Sequence, residues 1–473
     1  MKEKFIFWFE KLTESDKKIH ITLFLISILF AFVRFNELPI NEWDEARQAV
    51  NALRMLRNGN YLNLFYEKSL PDTWNAKPPL LIWAIIGCFK ILGENTFALR
   101  LPSLLAGILY IQIGYLLFRQ FKSIKFSFAS ILVLFCCKAL FAWHICLTAD
   151  FDSFLILFAL ISVYTWIVYI KKRKSIFFLL SMLSLGLAFY SKGPAAFVLI
   201  PSMVLFHLLS SQYNWVYKNS FTYIGILLFL IVVLSYFILQ KLYGIQFSGN
   251  LSYIGGNSSV KVLFYNDIIS RFFNDNTKES RCYEFIPLVL DSRLNVWNYI
   301  FYFSWIFILF NNRKNFKNWF KTIHSSENEF VKFCLIMIVP LSIFLTFSTN
   351  ANNWYLAPVF IYFIGLGVSG LYELYLINKK WSYLFVFIFI FTSLRHFIYV
   401  SFPENSIESE FYNLNKYRLT NAKNIYITNP TQALFAYCTL SNENTYIKKV
   451  DQKENLNNGL WIVKEESKIH ILK

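Results

Sequence analysis

The sequence predicts an all-α polytopic membrane protein with about 11 or more transmembrane helices, outer juxtamembrane helices and a small C-terminal α/β outer domain. Three observations support this fold class. Of the 473 residues, 56% are hydrophobic and 20% aromatic, whereas soluble domains average roughly 45–50% apolar residues. Apolar runs of about 20 residues, the length that crosses a bilayer, recur along the chain. Basic residues cluster in alternate loops between these runs, as the positive-inside rule requires.

Charge and cysteine content narrow the class further. The net charge of +17 falls mostly in short loops between apolar runs, so we expect it to set membrane topology, with no nucleic-acid partner. The seven cysteines show no CxxC spacing and no Cys/His ligand pattern. A disulfide between Cys282 and Cys438 stays open, because spacing alone does not show that two cysteines are close.

Eleven segments are long and apolar enough to be counted as spans. They are residues 19–35, 97–118, 126–143, 151–170, 175–191, 194–210, 221–240, 296–311, 331–348, 355–377 and 381–400. Residues 80–92 are apolar but number only thirteen, and we expect them to lie at the membrane interface. Counting 80–92 as a span would invert every later loop relative to the charge pattern.

The basic clusters also predict the orientation. With the lysine-rich N-terminus in the cytoplasm, the cytoplasmic loops hold the clusters at 119–125, 171–174, 313–321 and 379–380. The outer face then receives 36–96, 144–150, the turn at 191–194, 241–295, 349–354 and the C-terminal tail. We therefore expect a transmembrane domain over 1–401, with outer loops at 36–96 and 241–295, and a small outer domain over 402–473.

Two outer regions show local structure. Asn41 can cap a helix whose apolar residues recur at helical spacing, and Asn58-Gly59 would end it. In the tail, the runs at 424–427 and 460–463 predict two short β-strands.

The first candidate site residues are the adjacent carboxylates Asp44 and Glu45, just after the first span. Carboxylates in a first helical turn can simply complement the helix dipole, and the alternative is that they act on a substrate. Adjacent residues project about 100° apart on a helix, so we expect only one of them to enter a cleft.

A lysine lies in the same outer loop, in the sequence Lys77-Pro78-Pro79. One interpretation is a lysine that extends its charge toward water before a helix begins. The other is a cation fixed by two prolines where a lipid phosphate lies, since lysine is a good point-charge partner for phosphate.

More ionisable residues lie at the predicted outer ends of spans. Asp150 and Asp152 enter an apolar run at i and i+2, which exceeds what a helix cap needs. Lys192 occupies a tight outer turn, where the positive-inside rule disfavours lysine. Arg100 heads a span on the same side and could equally serve as an interfacial anchor.

The remaining candidates carry weaker signals. Tyr355 starts a late span, where an aromatic belt also accounts for it. The six histidines are scattered, and His144 lies near Asp150 without an HxxH, HExxH or Cys/His cluster. Spacing therefore indicates no metal site.

Together and in order, these motifs resemble those of integral-membrane glycosyltransferases with the GT-C fold. The likeness is closest to the branch that contains the aminoarabinose transferases for lipid A and the protein O-mannosyltransferases, and it spans roughly residues 20 to 375. The matching pieces are Trp43-Asp44-Glu45-Ala46, Lys77-Pro78-Pro79-Leu80, Gly93-Glu94-Asn95-Thr96-Phe97-Ala98-Leu99-Arg100-Leu101-Pro102-Ser103, Asp150-Phe151-Asp152-Ser153-Phe154-Leu155, Gly186-Leu187-Ala188-Phe189-Tyr190-Ser191-Lys192-Gly193-Pro194 and Tyr355-Leu356-Ala357-Pro358.

The resemblance implies a sugar donor linked to a polyprenyl phosphate, with transfer on the periplasmic face of the bacterial inner membrane. In that family the first-loop aspartate belongs to the active site, which corresponds to Asp44 with Glu45 as its neighbour. The second-loop aspartate corresponds to Asp152, with Asp150 as the alternative. The KPP lysine, Lys77, would hold the donor phosphate.

Two departures from the family pattern bear on a metal site described in some relatives. Relatives often have an acidic residue just before the KPP lysine, where this chain has Ala76. They often carry a Gly-His pair in the loop at 241–295, whereas residues 279–287 here contain no histidine. We therefore expect no cofactor, although a divalent metal remains possible.

The expected reaction is a single inverting displacement at the anomeric carbon, with polyprenyl phosphate as the leaving group. Lys77, together with Lys192 or Arg100, would stabilise its developing charge, and Tyr355 would line the cleft between donor and acceptor. For a hydroxyl acceptor Asp44 would serve as general base; for an ionised lipid phosphate it would orient the acceptor or stabilise positive charge on the sugar.

The acceptor is expected to be lipid A or a related glycolipid, with a protein hydroxyl or a surface glycan as alternatives. A lipid-linked sugar transporter or flippase is the rival from another class. A transporter would favour charged residues or broken helices near the midplane of several spans, a pattern that the sequence lacks. A non-catalytic scaffold would leave the outer Asp/Lys constellation unexplained.

Overall fold

The fold is described by a computed structural model. It describes residues 10–33, 37–66, 68, 71–72, 75–245, 259–264, 269, 284–311, 329–348, 352–402, 404–448, 459–465 and 468–472. Cys282 lies outside the described residues, and Cys438 is a free, fully buried cysteine.

Helices account for most of the described chain. The transmembrane part and its loops contain α1 Asp16–Phe32, α2 Asp44–Asn58, α3 Leu80–Leu92, α4 Thr96–Arg119, α5 Ile124–Leu132, α6 Phe151–Lys172, α7 Ser175–Lys192, α8 Ile200–Leu208, α9 Ser220–Tyr243, α10 Ser259–Phe264, α11 Phe285–Leu294, α12 Val296–Asn311, α13 Glu329–Thr346, α14 Phe360–Ile377 and α15 Trp381–Ser401. The C-terminal part contains α16 Ile407–Asn421, β1 Ile425–Thr428, α17 Gln432–Ser441, β2 Thr445–Ile447, β3 Leu460–Glu465 and β4 Lys468–Leu472.

The predicted polytopic architecture is confirmed. In the part of the chain that the structure describes, seven helical stretches are long and apolar enough to cross a membrane. They are Thr96–Arg119, Phe151–Lys172, Ser175–Leu208, Ser220–Tyr243, Glu329–Thr346, Ala357–Ile377 and Trp381–Ser401. Helices α1 and α12, with 17 and 16 residues, fall just below that length.

One stretch, Ser175–Leu208, reverses direction within its length. Lys192 contacts Asp152 near the start of α6, whereas His207 accepts a hydrogen bond from Trp166 Nε1, about four turns further along α6. The reversal occurs at Gly193, which has a positive φ of 61°. Such a φ carries little steric cost for glycine, and the turn lies where the sequence predicts it.

The prediction of a continuous span over 126–143 is wrong. Helix α5 ends at Leu132, a short 3₁₀ turn follows at Val133–Phe135, and the chain then forms bends and turns up to Ala149. Irregular backbone is tolerated at this depth when it is buried in protein. Lys138 N, for example, donates to Arg293 O at 2.8 Å.

One face of the bundle carries α2, α3 and the C-terminal domain, and we call it the site face. The starts of α4 and α6 and the end of α7 meet there. Helix α2 ends at Gly59 with φ +66°, as predicted. Its predicted Asn41 cap is wrong, because α2 begins at Asp44 and Trp43 occupies the capping position without a side-chain hydrogen bond.

The C-terminal region is an α/β unit, as predicted. Its four strands lie in the order β2-β1-β3-β4. Strand β1 pairs in parallel with β2 and β3, and β3 pairs antiparallel with β4. Helices α16 and α17 pack on each other, and α17 also packs on α2. The apolar residues of α2, α3, α17 and the sheet form one continuous core, so this unit is joined firmly to the site face.

Candidate functional site

A histidine lies between two carboxylates at the centre of the site face. His144 Nδ1 is 3.5 Å from Asp44 Oδ2 and 3.9 Å from Asp150 Oδ1. The ring stacks on Trp354 with centroids 3.9 Å apart and an interplanar angle of 11°. Asp150 is 3% exposed and accepts a hydrogen bond from Thr148 Oγ1, whereas Asp44 is 40% exposed. The cluster is therefore closed on the Asp150 side and accessible at Asp44.

The backbone beside this cluster is strained at two positions. Trp43, directly before Asp44, has φ 71° and ψ −95°, and His144 has φ 61°. Bulky residues rarely adopt positive φ, at a cost of about 1–3 kcal/mol each. Such conformations persist where surrounding contacts enforce them and are found preferentially at functional sites.

Glu45 and Arg100 form a buried pair that holds the two loops of the site together. Both side chains are fully buried, and Arg100 Nε donates to Glu45 Oε1 at 2.5 Å. Arg100 also donates to the carbonyls of Leu38 and Pro39. Glu45 accepts from the backbone N–H of Ala149 at 3.2 Å, and its other oxygen accepts from the Asn41 N–H at 2.8 Å. The pair thus fixes Asp44 relative to Asp150.

A second acid–base pair adjoins this cluster. Lys192 Nζ is 2.5 Å from Asp152 Oδ2, and both side chains are more than nine-tenths buried. Lys192 Nζ also lies 4.9 Å from the centre of the Tyr355 ring. Lys77 Nζ lies 5.3 Å from the Phe151 ring centre, beside the start of α6. Lys77 and Lys192 therefore both lie at the start of α6, next to Asp152.

These charges determine the protonation states at the site. Burial alone would raise the pKa of Asp44, but His144 and the positive charges of Lys77 and Lys192 hold this pKa well below its usual range. Burial alone would lower the pKa of His144, but the facing carboxylates raise it to about 9. Burial and the neighbouring Asp44 charge raise the pKa of Asp150. Asp44 is therefore the carboxylate that stays ionised.

An apolar cavity of about 410 Å³ opens beside the Asp152–Lys192 pair. Asp152, Lys192 and Tyr355 form its polar end. Its other walls come from α6, the 3₁₀ segment after Gly193, α8, α13 and residues near the start of α14. The residues are Leu155, Pro194, Ala195, Phe197, Val198, Pro201, Pro340, Leu341, Phe344, Leu345, Ser348 and Pro358. A largely apolar cavity with a buried lysine in its lining suits an amphiphile with an anionic head.

The structure brings most of the candidates from the sequence together. Asp44, Asp150, Asp152, Lys77, Lys192 and Tyr355 all lie in this region of the site face. Glu45 and Arg100 bind each other in the interior, where they position the segments that carry Asp44 and Asp150. This agrees with the expectation that only one of the adjacent carboxylates Asp44 and Glu45 faces the cleft.

Two residues at the site carry no role in the sequence prediction. His144 has one local signal, its position six residues before Asp150. Arg293 is 6% exposed and donates to Asn353 Oδ1 at 2.8 Å and to Trp143 O at 3.2 Å. No sequence signal separates Arg293 from other interfacial arginines.

Comparison with known proteins identifies relatives of part of the chain. Residues 76–238 match the family model "Dolichyl-phosphate-mannose-protein mannosyltransferase". The putative mannosyltransferase YycA of Bacillus subtilis is 28% identical over 261 residues, which cover 54% of this chain and 37% of that protein. An uncharacterized protein of Aquifex aeolicus is 28% identical over 202 residues, which cover 41% and 38% of the two chains. The chain thus matches less than two-fifths of the length of these relatives.

Solved structures match nearly the whole chain. ArnT from Cupriavidus metallidurans bound to undecaprenyl phosphate has a TM-score of 0.68 at 13% identity, covering 94% of this chain and 93% of that one. The Archaeoglobus fulgidus oligosaccharyltransferase in the apo form has a TM-score of 0.56 at 11% identity, covering 92% and 65%. At these identities the matches show the fold. They confirm the GT-C fold that the motifs predict.

Proposed function

We propose that this protein is a membrane glycosyltransferase that takes a sugar from a polyprenyl-phosphate donor. The observation that carries the proposal is the apolar cavity with Lys192 at its polar end, beside Lys77 and Asp44. A polyprenyl chain would occupy the apolar part, and the lysines would hold its phosphate. The fold shared with ArnT bound to undecaprenyl phosphate and the match of 76–238 to a mannosyltransferase family support this assignment.

The reaction would be an inverting displacement at the anomeric carbon. The C1–O bond to the polyprenyl phosphate breaks while an ionised phosphate oxygen of the acceptor glycolipid attacks the opposite face, so that no proton has to be removed. The polyprenyl phosphate leaves as an anion next to Lys77 and Lys192. Because its pKa is lowered, Asp44 stays ionised. A weak base of this kind is better suited to orient the acceptor and stabilise positive charge on the sugar ring than to remove a proton.

We propose lipid A or a related glycolipid as the acceptor and the periplasmic face of the inner membrane as the place of transfer, with the N-terminus cytoplasmic. The basic clusters of the loops support this orientation. A protein hydroxyl or a surface glycan is the alternative acceptor for the same fold.

Mass spectrometry of total lipids from cells with and without the protein tests the proposal. We expect a polyprenyl-phosphate sugar to accumulate when the protein is absent, and its mass identifies the sugar. Loss of one sugar mass from lipid A would identify the acceptor. Unchanged lipid A together with an accumulated donor would assign a protein or glycan acceptor. An unchanged donor pool and unchanged glycans would contradict the enzyme and favour a transporter.

Asp44→Asn in the purified protein tests the site. The substitution keeps the shape but removes the ionised carboxylate, so we expect transfer turnover to fall at least about a hundredfold, the scale of a lost electrostatic group. Unchanged turnover would remove Asp44 from both of its possible roles.

A further inference from the structure

The three side chains at the centre of the site have the composition of a metal-binding site. Asp44, His144 and Asp150 each offer one ligand atom, and these atoms all lie within 4.8 Å of one another. Imidazole nitrogen and carboxylate oxygen together are typical ligands of Zn²⁺ and Mn²⁺. His144 and Asp150 lie six residues apart and Asp44 lies a hundred residues before His144, so the spacing of the ligands matches no sequence motif for a metal site.

The distances suit a small divalent cation. A metal about 2.1 Å from each ligand places tetrahedral ligand atoms about 3.4 Å apart. Asp44 Oδ2 and His144 Nδ1 are already 3.5 Å apart. Asp150 Oδ1 is 3.9 Å from Nδ1, so it would have to approach Nδ1 by about 0.5 Å. The Asp44 and Asp150 oxygens, which lie within 4.8 Å of each other, would also have to close to about 3.4 Å.

The ring nitrogen that faces this space is buried. His144 Nδ1 has no hydrogen-bond partner among the described residues. It faces two carboxylates, one of them on a side chain only 3% exposed. Buried charges in proteins are paired or coordinate metals, and a cation at this point would satisfy all three groups at once.

Neighbouring groups hold the ligands in place. Thr148 Oγ1 donates to the second oxygen of Asp150 and accepts from the backbone N–H of His144. The imidazole rests flat on Trp354. The Asn41 side-chain amide lies 3.4 Å from Nε2, and a half-turn of that amide would place its oxygen to accept Nε2–H. Metal-ligating histidines almost always have such a partner on their other nitrogen.

We propose that Asp44, His144 and Asp150 bind one divalent cation of the Mn²⁺ or Zn²⁺ class, with its remaining coordination positions open on the exposed side of Asp44. The site differs from the metal site of some relatives, whose ligands would fall at Ala76 and within 279–287. Ala76 is buried and offers no ligand, and 279–283 lie outside the described residues. A role for the ion in holding the donor phosphate rests on the proposed function, whereas ion binding itself does not.

Metal content of the full-length protein in detergent tests the site directly. Bound metal is first removed from the protein with a chelator. After dialysis against Mn²⁺ or Zn²⁺, inductively coupled plasma mass spectrometry gives the number of ions per chain, and isothermal titration calorimetry of the metal-free protein gives the affinity. We expect one ion per chain, and at least tenfold weaker binding in His144→Ala and Asp150→Asn. Matched controls are His20→Gln, whose imidazole contacts Gln112, and Asp152→Asn, whose carboxylate pairs with Lys192. Thermal unfolding checks that each variant is folded.

The outcomes separate the metal site from the proposed function. Absence of a stoichiometric ion in the unsubstituted protein, or binding that survives both His144→Ala and Asp150→Asn, would overturn the site and assign His144 as the counter-ion of the two carboxylates. Full sugar transfer by the metal-free protein would show that the ion does not hold the donor phosphate, and it would support the proposed glycosyltransferase function. A metal-loaded protein that transfers no sugar would support the site and overturn the proposed function.

Discussion

The positive charges of Lys77 and Lys192 both act on Asp44, but the two lysines have different partners of their own. Lys192 is paired with Asp152 at 2.5 Å, whereas Lys77 lies against the ring of Phe151. A lysine that already has a carboxylate partner contributes less net charge to an incoming phosphate than one against a ring. We therefore assign the main phosphate contact to Lys77.

Lys77→Ala tests this assignment. A lost charge-assisted hydrogen bond is worth about 1.5–3 kcal/mol, so we expect kcat/KM for the donor to fall roughly ten- to hundredfold. The matched control is Lys68→Ala, which removes an exposed lysine of the same loop whose partners are Asn444 and Tyr446. Equal kinetics for both variants would contradict the phosphate-holding role of Lys77.

The buried Glu45–Arg100 pair should contribute to the stability of the folded protein. Breaking a buried ion pair leaves an uncompensated charge and costs about 3–5 kcal/mol, so Glu45→Gln should lower the free energy of unfolding in detergent by that amount. Glu94→Gln is the control, because Glu94 is 30% exposed and pairs with Arg57 near the surface. Its cost should stay below about 1 kcal/mol.

The double variant Glu45→Gln/Arg100→Met completes this test. Removing both charges should restore part of the lost stability, since no unpaired guanidinium remains. If the losses of the two single variants simply added, the two side chains would not act as a pair.

At the scale of elements, helix packing depends on glycines at close approaches. Helices α12 and α14 pack along their length. A Cβ built on Gly367 would lie 2.2 Å from the Phe301 ring, and one on Gly370 would lie 2.4 Å from Ser304 Oγ. Small residues let membrane helices approach closely where lipid gives little hydrophobic driving force for association. The α12–α14 contact therefore needs glycine at position 367, because the Phe301 ring cannot move aside as readily as the Ser304 hydroxyl can rotate.

Gly367→Ala should destabilise this contact by about 1–3 kcal/mol, the usual cost of overpacking, and should lower the midpoint of thermal unfolding in detergent. Gly87→Ala in α3 is the matched helical control, because nothing lies within 4 Å of its added Cβ. The control should be neutral or gain up to about 1 kcal/mol from helix propensity. Equal effects of the two substitutions would contradict the proposed close packing.

For the whole molecule, the C-terminal domain is fastened to the elements that carry the site. Arg54 of α2, 1% exposed, donates to the carbonyls of Glu443 and Thr445 at 2.8 and 2.7 Å. Glu42 accepts from two backbone N–H groups at the start of α17. The Ile40 N–H donates to Tyr437 Oη at 2.8 Å. The segment that leads to Asp44 is therefore bound on one side by Arg100 of α4 and on the other by the C-terminal domain.

Arg54→Met should loosen this attachment. Two charge-assisted hydrogen bonds are lost, so we expect faster limited proteolysis of the C-terminal domain and a turnover reduced roughly tenfold or more. Arg418→Met, on an exposed part of α16, should change neither. Normal transfer by a variant whose C-terminal domain has been cleaved off would show that the domain does not support the site.

The sequence predicted these parts to different extents. Spans such as 151–170 and 381–400 were found because their apolar length is a local property. The segment 126–143 was equally apolar, but its end is irregular, since it packs inside the protein against Arg293 and α15. Motifs singled out Asp44 and Asp152 as candidate site residues, whereas the pairing of Glu45 with Arg100, 55 residues apart, was not visible in the sequence.

By itself, the sequence determined the polytopic helical architecture, the reversal at Gly193 and the C-terminal α/β unit, because apolar length, turn chemistry and alternation act over a few residues. Only the tertiary structure decided which ionisable groups are neighbours. It placed His144 between Asp44 and Asp150, enclosed Glu45 with Arg100 and set Lys192 at the end of an apolar cavity. Those contacts depend on how distant helix ends meet at the site face, and their protonation follows from burial and charge that no local pattern records.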